Sequence, residues 1–121
     1  MSRRHEYQQI HGYGTVSNAN GQLELVTAAQ IGSGHYLYIE TMYISVYEPA
    51  NGGGGIFRLQ HTDGTEIHYM NVDGAKDLPF NFGEHGWRCP TAGEGIQMIV
   101  YGAQSEQASV SVMLKGHIDN R

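Results

Sequence analysis

His61, Glu66 and His68 are the residues of this chain best placed to do chemistry together, because two imidazoles and a carboxylate form a donor set for zinc or iron. They flank an Asp63-Gly64 pair. A two-residue type I′ turn there would put His61 across from Glu66, Leu59 across from His68 and Phe57 across from Met70 on one face of a hairpin. The competing reading makes the three polar residues the rim of a turn, and no metal or other cofactor is assigned. His85 and Cys89 could act as a base and a thiol nucleophile, but that needs hydrogen-bond reach and a third group to orient the imidazole. Nothing around them supplies it. Cys89 sits between Arg88 and Pro90 just before an apolar run, the setting of a small buried side chain.

Other catalytic patterns are missing. The sequence has no Gly-x-Ser-x-Gly, His-Glu-x-x-His or Gly-Lys-Ser/Thr motif, so hydrolase, zincin and P-loop readings have no foothold. The run Asn51 to Gly55, NGGGG, resembles a phosphate cradle but lacks the Lys and the helix that make one work. It reads as a loop tip. The chain is therefore expected to be no enzyme.

The elements that would carry these residues are strands. Glycine occurs 17 times and proline 3 times, among frequent Val, Ile, Thr and Tyr, which favours short strands between turns. The best helical window, Val26 to Ile31, is very short and is followed by Gly32 and Gly34. YGTVSN and QLELVTA read as strands around a turn at Asn18 to Gly21, and HYLYIETMYISVYE as the longest strand. In that strand Leu37 and Ile39 share a parity that Met42, Ile44 and Val46 do not, so a bulge near Glu40 or Thr41 is expected. Pro79 keeps DLPFNFG near a sheet edge. In the last run Ala108, Val110, Val112 and Leu114 alternate with Ser109, Ser111, Met113 and Lys115, giving a strand with one buried face. About eight antiparallel strands in one domain imply an all-β sandwich of jelly-roll type. An immunoglobulin-like sandwich is the alternative, without its Cys, Trp, Cys spacing.

Length and charge bound the partners. A chain of 121 residues makes one domain with a sizeable core, and 16% charged with 40% hydrophobic residues describes a folded protein. Its net charge is −5, and Arg3, Arg4, Arg58, Lys76, Arg88, Lys115 and Arg121 are scattered, so no basic stripe suits nucleic acid. A single Cys fits a reducing compartment. The start, MSRRHEYQQI, lacks the apolar run of a signal peptide, and no apolar run reaches membrane-spanning length. The expectation is a chain made in the cytoplasm that does not cross a membrane.

Surface candidates remain. Residues 1–11 read as a polar arm with Arg3 and Arg4 at its tip, anchored by Tyr7 and Ile10, ahead of a single domain over 12–121. Tyr36, Tyr38, Tyr43, Tyr47, Tyr69 and Tyr101 offer apolar area with a polar tip, suited to an interface or to stacking on sugar rings. The stretch LPFNFGEHGWRCPTAGEGIQMIV, Leu78 to Val100, reads as a connection in which Trp87 plugs one end of the sandwich, Cys89 lies behind it and Arg88 points outward. Tyr36, Tyr38, Tyr43, Trp87 and Arg88 are the interface candidates.

The second half of the chain resembles a known group. An Asp-Gly hairpin at Asp63-Gly64, the Pro79 to Phe82 strand, the Gly86 to Cys89 turn, the Gly93 to Ile96 strand start and the closing alternation Val110 to Gly116 are similar to those of small tailed-phage virion proteins. Over about Gly54 to Ile118 the chain looks like a decoration, or cement, protein. The resemblance implies a jelly-roll module that acts as a homodimer or homotrimer on the major capsid protein, at the outer surface of the virion. Two other readings stand beside it. One is a tail or fibre-tip module that binds a host glycan through exposed Tyr or Trp in a groove. The other is a cupin-like metalloenzyme using His61, Glu66 and His68, although the usual two-His-then-Glu order with a further His beyond is missing.

Overall fold

The closing alternation decides the centre of one sheet. In the computed structural model, which describes residues 8–16, 21–47, 55–71, 75–101 and 109–121, β9 (Ser109–Asp119) runs antiparallel between β1 (Gln8–Val16) and β3 (Tyr36–Tyr47). Val110, Val112 and Leu114 point inward and are at most 1% exposed. The edge beyond β3 is β6 (Lys76–Asn81), where Pro79, which cannot donate to a ladder, is tolerated. A two-residue strand, β7 (Trp87–Arg88), pairs with Tyr38 and Ile39 of β3.

The second sheet has the order β2 (Gly21–Val26), β8 (Ile96–Tyr101), β4 (Ile56–His61), β5 (Glu66–Asn71), all antiparallel. With the short β7 set aside, successive strands interleave between the two sheets in the order of a jelly roll, two Greek keys wound together. The expected fold class is what the chain adopts, with nine strands among the described residues in place of about eight. The core lies between the sheets: Phe57, Leu59, Met98 and Ile96 face Leu37, Ile39, Ile44 and Leu114, all at most 1% exposed. The window Val26 to Ile31 contains one helical turn, α1 (Ala28–Ile31), closed by reciprocal bonds between Thr27 and Gln30.

The bulge expected near Glu40 is present. The ladder to β9 jumps from Ile39↔Gly116 to Thr41↔Lys115, leaving Glu40 as the extra residue. Glu40 and Thr41 therefore leave the same face, and Met42, Ile44 and Val46 inherit the core side from Leu37 and Ile39. Gly116 makes this possible. A Cβ there would lie 2.0 Å from the Tyr38 carbonyl oxygen, so only glycine lets the backbones approach.

The Asp63-Gly64 hairpin forms with a different loop. The His61 N–H donates to the Thr65 carbonyl and the Gly64 N–H to the His61 carbonyl, which makes a three-residue loop, Thr62 to Gly64. Gly64 takes φ +96° while the Asp63 carboxylate accepts the Thr65 N–H, and these bonds hold its carboxyl below the usual range. Gln60, not His61, then faces Glu66. An extra residue at Ile67 restores the expected pairs Leu59↔His68 and Phe57↔Met70.

Candidate functional site

That one-residue shift disperses His61, Glu66 and His68. His61 keeps the inward parity of Phe57 and Leu59 and is 0% exposed. Glu66 is carried to the solvent face, where its carboxylate lies 3.6 Å from the Arg58 guanidinium. His68 lies half-buried at the edge between the sheets, its ring edge-on to Phe80. Burial pushes its pKa below the ordinary histidine value, against a smaller upward pull from Glu66. Among the described residues no three His, Cys, Asp or Glu side chains lie close enough to hold a metal ion. His61, Glu66 and His68, weighed above as a donor set, are thus not brought together.

His61 has a structural post instead. The backbone N–H of Thr91 donates to Nε2 at 3.1 Å, so the proton sits on Nδ1, 3.2 Å from the Gly95 carbonyl that accepts it. The imidazole ties the hairpin loop to the turn before β8. Cys89 is equally internal: 0% exposed, with burial pushing its thiol up to about 12. Such a thiol is protonated at neutral pH and is no nucleophile.

A second imidazole is also engaged. His117 Nδ1 lies 2.6 Å from a Glu40 carboxylate oxygen, both residues are under 10% exposed, and Tyr38 stacks flat on the His117 ring at 5.1 Å between centroids. A carboxylate behind an imidazole is the base-and-orienter half of a triad. The cleft beside it, about 480 Å³, is lined by Glu84, His85, Gly86, Asp119 and Arg121 and offers no Ser, Thr or Cys among the described residues. The Tyr38 hydroxyl donates to the Arg121 carbonyl. The pair serves the bulge that exposes Glu40 to it.

The expected interface residues separate into three places. Tyr36 and Tyr38 are half-buried, and the Arg88 guanidinium covers the Tyr36 ring at 4.3 Å. Trp87, 39% exposed, joins Phe82, Phe80 and His68 in an aromatic seam that closes the side of the sandwich, with Cys89 buried and Arg88 at the surface. Tyr43 belongs to a different surface. Of the arm, Arg3, Arg4 and Tyr7 lie outside the described residues. Ile10 is in β1, opposite Gly116 and 5% exposed, so residues 8–11 are strand and not arm.

Tyr43 stands in the feature that sequence reasoning missed. Register places Tyr13, Met113, Tyr43 and Pro79 side by side across all four main strands of the first sheet, on its outer face. Tyr13 is 65%, Met113 53% and Tyr43 42% exposed. The neighbouring rows are His11, Lys115, Thr41, Asn81 on one side and Thr15, Ser111, Ser45, Asp77 on the other. The stripe lines a shallow concavity of about 790 Å³. Desolvation and the Asp77 carboxylate raise the Tyr43 phenol above its ordinary pKa. Met113 was legible only as a member of the polar face of β9; its neighbours came from strands far away in the chain.

No protein-family model matches the sequence, and no curated protein matches it. Among solved structures, a chain of the cyanophage Pam1 capsid asymmetric unit superposes with a TM-score of 0.53 at 10% identity, covering 93% of this chain and 86% of that one. A chain of the acid-stable capsid of Helicobacter pylori bacteriophage KHP30 gives 0.51 at 10% identity, over 91% and 87%. No helix among the described residues is long and apolar enough to cross a membrane. What this chain shares with those two phage capsid components is the jelly-roll sandwich.

Proposed function

We propose that this protein is a non-enzymatic virion structural protein, a decoration or cement protein that binds the major capsid protein lattice at the outer surface and stabilises the shell, working as an assembly of two or three copies. The observation that carries this reading is the division of its side chains. His61 and Cys89 are turned into the core and the His117–Glu40 pair is held together against the Tyr38 ring, while large apolar groups, Tyr13, Tyr43, Tyr47 and Met113, are turned out. A protein that works by docking needs that division. The fold likeness to two phage capsid components supports it, and so does the resemblance of Asp63-Gly64, Pro79 to Phe82 and Gly86 to Cys89 to cement proteins. The lattice contact is assigned to Trp87, Arg88 and the segment with Arg3, Arg4 and Tyr7.

Co-sedimentation of the purified protein with undecorated capsid shells tests this. Saturable pelleting at fixed stoichiometry, with a raised disruption temperature of the shell, is expected; protein that stays in the supernatant overturns the reading. Deleting residues 1–7 should weaken pelleting. A second reading has one observation in its favour: Tyr13 and Tyr43 line a concavity edged by His11, Thr41 and Asn81, an arrangement that could stack and hydrogen-bond a sugar. Retention on immobilised host polysaccharide, lost in Tyr13→Ala, would support it.

A further inference from the structure

The outer face of the first sheet is apolar in the middle and nearly neutral around it. Among its central positions, His11, Tyr13, Thr15, Ser111, Met113, Lys115, Thr41, Tyr43, Ser45, Asp77, Pro79 and Asn81, Lys115 is the one lysine or arginine and Asp77 the one carboxylic acid. They stand at opposite corners. Lys115 is on β9 one row to one side of the stripe, Asp77 on β6 one row to the other, and Tyr43 on β3 marks the midpoint between them. From ordinary strand and residue spacings the two corners are about 17 Å apart.

We propose that this face is the interface of a two-fold homodimer, with Tyr43 at the axis and each Lys115 against Asp77 of the partner copy. Two surfaces related by a two-fold meet with the axis lying in the contact plane, so every patch must suit its own mirror position. An axis through Tyr43, perpendicular to the line from Lys115 to Asp77, exchanges those two corners. Both charge pairs then form at once, and the stripe of one copy crosses the stripe of the other. Strands of the two copies would cross at about 70°, near the orthogonal class of face-to-face sheet packing. The net charge of −5 opposes contact between copies in general. On this face one positive and one negative group cancel, so the repulsion is not concentrated there. The four strands span about 20 by 25 Å, roughly 500 Å² per copy and about 1,000 Å² for the pair, the size at which specific interfaces begin.

The inference deepens the oligomeric part of the proposed function and is tested apart from shell binding. Sedimentation equilibrium of the full chain at micromolar concentration should give a dimer. Met113→Glu, at an exposed position, should give a folded monomer with unchanged circular dichroism. Lys115→Glu should weaken dimerisation about tenfold, because it makes two like-charge contacts per dimer, and Lys115→Glu combined with Asp77→Lys should restore it. A monomeric or trimeric wild type, or a dimer indifferent to Met113→Glu, overturns the proposal. So does a monomer whose Met113→Glu variant loses shells or polysaccharide, which would hand the face to that ligand. A dimer that follows the charge-swap pattern but ignores shells keeps the interface and rejects the decoration role.

Discussion

Replacing His61 by Leu should expose what the buried imidazole does. Leucine fills similar apolar volume and provides neither a donor nor an acceptor. One backbone group would be stranded, the Thr91 N–H, now 3.1 Å from Nε2; the Gly95 carbonyl, now 3.2 Å from Nδ1, keeps the Thr62 N–H at 3.1 Å. A group left unpaired in the interior costs about 1 to 3 kcal/mol, and the half-buried position of Thr91 puts the loss at about 2 kcal/mol. For a domain of this length that corresponds to a fall in Tm of roughly 6 to 10 °C. Urea unfolding followed by tryptophan fluorescence measures it directly, with the midpoint lowered and the slope unchanged. His61→Gln, whose amide can still accept from Thr91, should recover part of the loss. A Leu variant within about 1 kcal/mol of wild type would refute the account. A chelator that lowered the wild-type Tm by as much as the Leu substitution would refute it too, by showing that the imidazole serves a metal.

Gly116→Ala should abolish folding or cost on the order of 3 kcal/mol or more, since the new methyl would lie 2.0 Å from the Tyr38 carbonyl oxygen; expression and thermal melting report it. Cys89, fully buried with its thiol raised to about 12, should resist a thiol reagent at pH 7.5 in the native protein and react at once in denaturant. The lowered His68 pKa has a definite sign: the folded state disfavours protonation, so its contribution is complete above the unfolded value near 6.5 and is lost as pH falls through the folded value. Melting between pH 7.5 and 5 should therefore show a smaller acid loss in His68→Phe than in wild type, and equal slopes would count against the burial argument.

Much of the fold was legible because single strands carry it. The alternation of Val110, Val112 and Leu114 marked a one-sided strand, and the parity change after Ile39 located the bulge at Glu40. Pro79 marked an edge. Local chemistry misled at Asp63-Gly64, where a three-residue loop with only Gly64 needing a positive φ outcompeted the tighter turn, helped by the bond from Thr65 to the Asp63 carboxylate. The bulge at Ile67 then undid the expected grouping of His61, Glu66 and His68. The apolar stripe could not be read at all. Each of Tyr13, Met113, Tyr43 and Pro79 sits among polar or mixed neighbours in its own segment, and only the pairing of four separate strands lines them up.

The placement of β9 has a kinetic consequence. The last strand of the chain is an inner member of its sheet, joining β1 to β3, and its pairing with β1 links segments separated by nearly the whole sequence. Before Ser109 to Asp119 leaves the ribosome, β1 has no ladder partner and β3 presents a bare edge lined with Leu37, Ile44 and Val46. Such a topology folds slowly and only once that strand has emerged, with strand edges open to neighbouring chains in the interval. A copy cut short before its final strand would accordingly be a seed for aggregation instead of a weaker version of the protein.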